Sequence, residues 1–483
     1  MKDISLNLFN IDLRRWIEIP VIKILLILFL GMYVGKTTVF PQPLLWLLAI
    51  SIVLTLFVFR YPKSGIIILI VSVFLLDWLE KSFSLLPRQI TWLEDVTILL
   101  LLTRSMTLVV LHKEVRRTPL DLLLLAFLGV GLLSTLLNSV SPAVAILGMR
   151  KPLKFLLLFY IILYSNFDEQ FFRTTLKTLL IIAFLQIPIA IAEFLVWTPE
   201  LGESLGSGMG EFDFVTGTLP RGATGILALL LLSTMSFLLG FSLYTKQSKY
   251  FWLSLLFLIP LPLTMSRFSF FLLPVLFLYL IRKNPTYLFG MRLVYTTSLS
   301  LFFIGIVLFA SIVANYDLKS YLLNPHLVVQ KQSLSIEETG ESGRIGSVQY
   351  IYDYLKAIPN GLLFGVGPGM WSESYFSHYT SRLFETTSAS HANQYAATMS
   401  EFGLLGLFLF LLMVFKIYQL NNHFFQNAED PFWKSISFGF SGMILIFITG
   451  GIYVPLWHSD ALSFCFWMIS GIIYVTGMRK SLF

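Results

Sequence analysis

The sequence predicts an all-α polytopic membrane protein, with about 12–14 transmembrane helices and one large, partly helical extracytoplasmic loop. Of its 483 residues, 56% are hydrophobic and only 13% are charged, too few to cover the surface of a soluble protein of this length. The apolar residues occur in runs of about 18–22, the length that crosses roughly 30 Å of hydrocarbon. Its 45 Phe and 10 Trp are typical of lipid-facing helices and interfacial belts.

The apolar runs place candidate spans along the whole chain. They lie near residues 19–35, 43–59, 65–79, 95–111, 119–136, 145–164, 175–196, 222–243, 250–264, 268–281, 293–314, 403–420, 436–454 and 461–477. The sixth is interrupted by Arg150-Lys151-Pro152, and the ninth and tenth are short. Because a polar stretch with Arg14 and Arg15 precedes the first run and no small-residue cleavage site follows it, we expect an uncleaved first span.

Charge and cysteine content exclude some classes of protein. The net charge of +7 is spread in small groups between apolar runs, so we expect no nucleic-acid partner. The single cysteine, Cys465, lies in an apolar run, which excludes a disulfide framework and a cysteine-based metal site.

The distribution of Lys and Arg predicts the orientation. If the N-terminus is cytoplasmic and the spans alternate, the inner ends collect most of these residues. The short outer loops then hold only Lys36, Lys81, Arg88, Arg150, Lys151, Arg221 and Arg267. Both termini are therefore predicted to be cytoplasmic. The chain divides into a transmembrane bundle at 1–314, an extracytoplasmic loop at 315–402 and C-terminal spans at 403–483.

The long loop is predicted to contain structure of its own. Apolar residues at helical spacing, namely Ile345, Val348, Ile351 or Tyr352, and Leu355, predict a helix from about Arg344 to Ile358. The glycines of 365–369 lack the Lys-Ser/Thr ending of a phosphate-binding loop, and we interpret them as a tight turn that allows close packing. A further helix is predicted to start near His391, capped by Ser388-Ala389-Ser390, and to run into the next span.

Four motifs in residues 215–420 resemble the O-antigen ligase and O-antigen polymerase family of bacterial envelopes. They are Pro220-Arg221-Gly222-Ala223-Thr224-Gly225, Thr264-Met265-Ser266-Arg267-Phe268, Arg344 with Ile358-Pro359-Asn360-Gly361 and Phe364-Gly365-Val366-Gly367, and His391-Ala392-Asn393-Gln394-Tyr395 with Glu401-Phe402-Gly403-Leu404-Leu405-Gly406. In the family the histidine and asparagine are commonly adjacent, whereas Ala392 separates them here.

The resemblance implies a glycosyltransferase in the bacterial inner membrane, with 315–402 as its catalytic loop. Its donor would be a glycan on a polyprenyl (undecaprenyl) pyrophosphate, delivered by a flippase, and a chain-length regulator is a further expected partner. We favour a polymerase, in which the acceptor is another lipid-linked repeat unit. A ligase that transfers the glycan to lipid A core remains an alternative, and a lipid-linked oligosaccharide flippase is an alternative of another class.

The chemistry of the outer residues agrees with that reading. Arg221, Arg267 and Arg344 offer forked donors that match pyrophosphate oxygens, and His391 is a candidate general base. The alternatives are arginines that anchor helix ends and a structural loop histidine. With one base and no obvious nucleophilic carboxylate, inversion is expected. The outer acidic residues are scattered, so we expect no metal or other cofactor.

Overall fold

The computed structural model describes residues 57–76, 78–79, 92–112, 115–196, 215–220, 223–264, 266–283, 344–370 and 393–482. These residues form helices and connecting turns, and none of them lies in a strand. The helices are α1 Pro62–Val71, continued by a π-helical turn Ser72–Leu76, α2 Trp92–His112, α3 Asp121–Leu137, α4 Pro142–Tyr164, α5 Glu169–Val196, α6 Thr224–Thr245, α7 Lys249–Leu256, α8 Pro260–Leu263, α9 Arg267–Lys283, α10 Arg344–Ala357, α11 Gly361–Phe364, α12 Gln394–Asn427, α13 Pro431–Gly450, a 3₁₀ turn Leu456–His458, and α14 Asp460–Arg479.

The chain divides into two units, residues 1–65 and 66–483. Of the first unit the structure describes residues 57–65, which comprise a helical turn at 57–60 and the beginning of α1. The second unit contains the remaining helices and is the subject of the following sections.

Two apolar helices form the interior of the second unit. The apolar stretches of α6 and α14 are 89% and 94% buried, whereas that of α5 is only 33% buried. Helices that are hydrophobic all round are expected inside a bundle, where other helices cover every face. Small residues let α6 and α13 approach closely, because a Cβ on Gly439 would lie 2.5 Å from Phe237 Cα and one on Gly240 would lie 2.5 Å from Ser435 O.

Five of the described helices are long and apolar enough to cross a membrane: α5, α6, α12, α13 and α14. Shorter apolar helices lie at 62–76, 121–137 and 249–263. The predicted class, an all-α membrane protein, is therefore confirmed. The number of about 12–14 spans and the side on which each loop lies remain predictions. The predicted spans 19–35 and 293–314, and all but the end of 43–59, lie outside the described residues.

Helix α4 runs without a break through Arg150-Lys151-Pro152, where the sequence suggested an interruption. The charges there are paired across the bundle: Arg150 Nε donates to Asp95 Oδ1 over 2.7 Å, and Lys154 pairs with Glu94 and Asp460. A buried ammonium in apolar surroundings needs such partners. Ion pairs with α2 and α14 therefore stabilise an apolar helix that carries three cations.

Helix α12 begins three residues later than predicted, and Asn393 rather than a serine caps it. Asn393 Oδ1 accepts the backbone N–H of Ala396 over 2.8 Å. The helix then breaks at Gly403, whose φ is +66°. The boundary predicted between the loop and the C-terminal spans falls on this break. The predicted cap at 388–390 lies outside the described residues.

Candidate functional site

The connection between α13 and α14, residues 451–459, holds the start of α12 through hydrogen bonds. The backbone N–H of Gln394 donates to Gly451 O over 2.8 Å. The side-chain oxygen of Gln394 accepts the backbone N–H of Trp457 over 2.6 Å. Gln394 thus contacts both ends of this segment, which places the beginning of α12, three residues after His391, directly against it.

Tyr453, in the middle of the same segment, contacts two further motifs. Its ring stacks on Phe268 with centroids 5.2 Å apart and an interplanar angle of 4°. Its ring also packs on Gly225, because a Cβ there would lie only 2.6 Å from Tyr453 Cε1. Phe268 follows Arg267 in the chain, and Gly225 lies four residues after Arg221. The segments that directly follow Arg221 and Arg267 therefore adjoin Tyr453.

The motif that begins at Arg344 also packs against α12. Ile351 and Leu355 of α10 form a buried cluster with Ala396, Ala397 and Met399 of α12. These are the apolar positions from which the sequence predicted a helix, and the prediction of α10 is confirmed. The helix that begins at Arg344 is thereby held on the same stretch of α12 that Gln394 fixes.

The glycine turn at 365–369 is a packing element, as predicted. The N–H groups of Val366 and Gly367 donate to Ser400 O and Glu401 O over 2.8 and 3.1 Å. Asn138 Nδ2 donates to Gly365 O over 3.0 Å. Gly365, Gly367 and Gly369 all have positive φ, which only glycine adopts without strain. The turn fills the space between α3, α4 and the end of the first part of α12.

The turn that precedes Arg221 is held by two polar side chains of α5. Glu193 Oε2 accepts the backbone N–H groups of Thr216 and Gly217 over 2.9 and 2.6 Å. Gln186 accepts the N–H of Thr218 over 2.9 Å and donates to its hydroxyl over 2.7 Å. Sequence reasoning did not single out this pair. The available signal was two polar residues seven apart, on one face of an otherwise apolar helix.

The predicted site residues themselves have different positions in this arrangement. Arg267 and Arg344 are the first residues of α9 and α10, and their side chains lie outside the described part of the structure. Arg221 and His391 lie entirely outside the described residues. The structure therefore brings together the elements that adjoin the four residues, while the contacts among their side chains remain a prediction.

His458 lies in the 3₁₀ turn of the same segment, and sequence reasoning missed it. Enclosure of the ring, together with the nearby charge of Lys151, lowers the pKa of His458 to about 3. The imidazole is therefore neutral at physiological pH. The sequence feature that could have pointed to His458 is its position between two apolar runs. The enclosure of its ring, however, depends on α4, which is distant in the chain.

Two buried donors at this end have no partner among the described residues, Ser266 Oγ and Trp457 Nε1. Ser266 precedes Arg267, and Trp457 precedes His458. An unpaired buried donor costs about 1–3 kcal/mol. We therefore expect each of these two donors to bond to a polar group outside the described residues.

A narrow apolar crevice of about 40 Å³ lies deeper in the bundle, between α5, α6, α13 and α14. Its polar lining consists of Ser233, Thr234 and the Cys465 thiol. The two hydroxyls already donate to carbonyls of their own helix, over 2.8 and 2.9 Å. The crevice suits hydrocarbon and offers no charge for catalysis. In the part of the chain that the structure describes, no group of three or more His, Cys, Asp or Glu is arranged to hold a metal ion.

The fold and the geometry of this end define an α-helical membrane protein with a polar constellation at one end of its bundle. No known family model matches the chain. A comparison with curated proteins likewise found no significant match.

Proposed function

We propose that the protein is a membrane glycosyltransferase that polymerises polyprenyl-pyrophosphate-linked oligosaccharide repeat units. The observation that carries the proposal is the meeting of three separate motifs at one segment, with the fourth motif packed on the helix that this segment contacts. Gln394 bonds to 451–459 from α12, Tyr453 of that segment contacts Phe268 and Gly225, and α10 packs on α12. Motifs distant in sequence, each carrying an arginine or a histidine, thereby share one end of the bundle.

The helix starts in this region favour a pyrophosphate. Arg267 and Arg344 each begin a helix, where unpaired backbone N–H groups and the positive end of the helix dipole attract anions. Their guanidinium groups add forked donors that match phosphate oxygens. The turn held by Glu193 and Gln186 leads directly to Arg221, which would be the third such group. Together these groups would stabilise the charge of the departing pyrophosphate.

The proposed reaction is a direct displacement with inversion. The acceptor hydroxyl gives its proton to the His391 imidazole, and its oxygen forms a bond to the anomeric carbon. The bond from that carbon to the pyrophosphate oxygen breaks, and the polyprenyl pyrophosphate leaves with the electron pair, held by the arginines. His391 precedes the start of α12 by three residues, and the positive end of that helix favours the neutral imidazole that a base requires.

The contacts between helix ends agree with the predicted alternation of the spans. Arg150 pairs with Asp95 and Gln394 bonds to Trp457, and all four residues are predicted to lie outside. Other contacts join residues that are predicted to lie inside, for example Arg173 with Asp430, and Tyr474 with the carbonyl of Arg117 over 3.2 Å. The pairing of helix ends therefore agrees with the orientation that the positive-inside distribution predicts.

Reconstitution separates the candidate functions. Purified protein in liposomes receives the lipid-linked repeat unit, first alone and then with a lipid A core acceptor. A polymerase yields a ladder of products from the repeat unit alone. A single transfer that depends on lipid A core would identify a ligase instead. Movement of the donor to the other leaflet without a new glycosidic bond would identify a flippase and overturn the proposal.

A further inference from the structure

Two lysines from different helices meet over one aromatic ring at the end of the bundle away from the candidate site. Lys283 Nζ, at the end of α9, lies 4.8 Å from the centroid of Phe425. Lys434 Nζ, in the first turn of α13, lies 5.7 Å from the same centroid. The two nitrogens are therefore at most 10.5 Å apart. Two further rings complete the surroundings, Tyr418 at 6.0 Å from Lys283 and Tyr244 at 5.9 Å from Lys434.

Among the residues that the structure describes, Lys283 has one hydrogen-bond acceptor. Its ammonium donates to Ser441 Oγ, which also accepts from Asn421 Nδ2 over 2.8 Å and donates to Ser437 O over 3.0 Å. An ammonium has three donors, and Ser441 engages one of them. The rings of Phe425 and Tyr418 lie beside the same ammonium, and such rings attract a cation without accepting a full hydrogen bond.

Within the described part of the chain, neither lysine forms an ion pair. Two carboxylates at this end are engaged with other cations. Arg173 pairs with Glu169 and Asp430, and Lys480 lies 3.8 Å from Glu169. Two ammonium groups that share one ring repel each other, and they are partly removed from water. An anion placed between them would relieve both costs.

An apolar strip on α12 leads to this cluster. Phe408, Leu411 and Phe415 are 58%, 39% and 49% exposed, and they recur at helical spacing along one face. The ring of Phe415 stacks on that of Tyr418, the residue beside Lys283, with centroids 6.5 Å apart. A molecule with an acyl chain along this strip would bring a headgroup phosphate to the two lysines.

We propose that Lys283 and Lys434 form a binding site for the phosphate of an anionic phospholipid, with an acyl chain on the α12 strip. Basic pockets between transmembrane helices recognise such headgroups through charge, and each lysine near the membrane surface contributes about a fivefold gain in affinity. Phe425 and Tyr418 supply apolar walls beside the ammonium groups. The site is independent of glycan transfer, because it lies at the other ends of the helices.

The test measures binding of phosphatidylglycerol to the purified full-length protein in uncharged detergent, by native mass spectrometry. Phosphatidylcholine and inorganic phosphate serve as comparison ligands. Lys434→Gln is expected to weaken phosphatidylglycerol binding about fivefold, and the double variant with Lys283→Gln about thirtyfold. Lys416→Gln is the matched control. Lys416 lies on α12, the helix that carries the apolar strip, but it donates to Gln419 over 3.0 Å.

Three results would overturn the proposal. Parental affinity in the double variant would show that the two lysines do not bind the lipid. An equal loss in Lys416→Gln would show that only overall charge matters. Inorganic phosphate binding as tightly as the lipid would show a site for free anion. If Lys283→Gln reduces the yield of folded protein, Lys434→Gln and Lys283→Arg decide the question, since arginine retains the charge and is expected to retain binding.

Discussion

The two ends of the helical bundle are built differently. The site end comprises the described residues 138–150, 215–220, 223–225, 266–268, 361–370, 393–403 and 451–460. There the backbone bends at glycines with positive φ, and side chains such as Gln394 and Glu193 bond to backbone groups of distant segments. At the opposite end no described glycine has a positive φ, and the chain reverses in short local turns, with Asp430 capping α13 through Phe432 N–H over 2.8 Å. Long-range bonds to backbone groups occur there too, as from the Tyr474 hydroxyl to the carbonyl of Arg117.

This difference shows that the backbone is more constrained at the site end than at the opposite end. Local caps satisfy a helix end at little cost, and they need only neighbouring residues. Glycine bends are more demanding, because other residues adopt a positive φ only with strain, and such features concentrate where side chains must be positioned for a task. The opposite end instead carries charges at helix ends, as orientation and lipid contact require.

The largest difference between the ends is expected for histidines. His391→Ala should lower turnover about 10²–10⁴-fold, the usual contribution of a general base, while donor binding changes little. His423→Ala is the control, because His423 is exposed at the opposite end, where its ring lies 3.2 Å from Asn427 Nδ2 in its own helix. Transfer and donor binding are measured separately on purified protein. Near-parental turnover in His391→Ala would remove it as the base, and equal loss of binding and turnover would make it a substrate contact.

The two ends of α9 give the second comparison. Arg267→Lys keeps the charge at the site end but loses the fork, so kcat/KM should fall about 10–100-fold. Arg282→Lys, at the exposed opposite end of the same helix, should leave kcat/KM unchanged. Full activity in Arg221→Ala, Arg267→Ala and Arg344→Ala with normal expression would mean that these arginines only anchor helix ends.

Glycine substitutions test the bent backbone itself. Gly403 has φ +66°, and a Cβ there would lie 2.3 Å from Leu363 O. Gly403→Ala should therefore lower the free energy of unfolding by about 1–3 kcal/mol or more, visible as a lower Tm in detergent. Gly129→Ala, within α3 and with no atom within 4 Å of a Cβ, should be neutral or slightly stabilising. Equal Tm values for the two variants would contradict the break in α12.

The sequence predicted most helices because apolar runs and helical spacing are local properties. The Ile345, Val348 and Leu355 pattern foretold α10, and the apolar run after Thr224 foretold α6. The contacts that build the site are not local. Asn138 reaches Gly365 across 227 residues, and Lys154 reaches Asp460 across 306. No spacing rule in a single sequence connects such residues. The ion pairs of Arg150 and Lys154 with carboxylates, the bonds of Glu193 to the turn before Arg221 and the lowered pKa of His458 were therefore not foreseen.

The smallest effect is expected from His458, and it concerns stability. Its pKa of about 3 in the folded protein lies below the value of about 6.5 for an exposed histidine. Between these values the unfolded chain binds a proton that the folded chain does not, so stability decreases as pH falls from about 6.5. The Tm of the parent should therefore drop more steeply towards pH 4 than that of His458→Gln. His423→Gln, exposed at the opposite end, should follow the parent. Coincident Tm profiles for parent and His458→Gln would show that the ring is not enclosed.

The central claim is that donor lipid binds at the site end, around residues 451–459. Protection of single cysteines tests it most directly, in a background in which the buried Cys465 is replaced by Ser. Ile452→Cys places a thiol between the residues that contact Gln394 and Phe268, at a position that is 46% exposed. Gln419→Cys places one at the exposed opposite end of α12. Polyprenyl-pyrophosphate-linked donor should slow modification of Ile452→Cys by a thiol reagent and leave Gln419→Cys unchanged. Equal rates at Ile452→Cys with and without donor, or protection of Gln419→Cys instead, would contradict the claim.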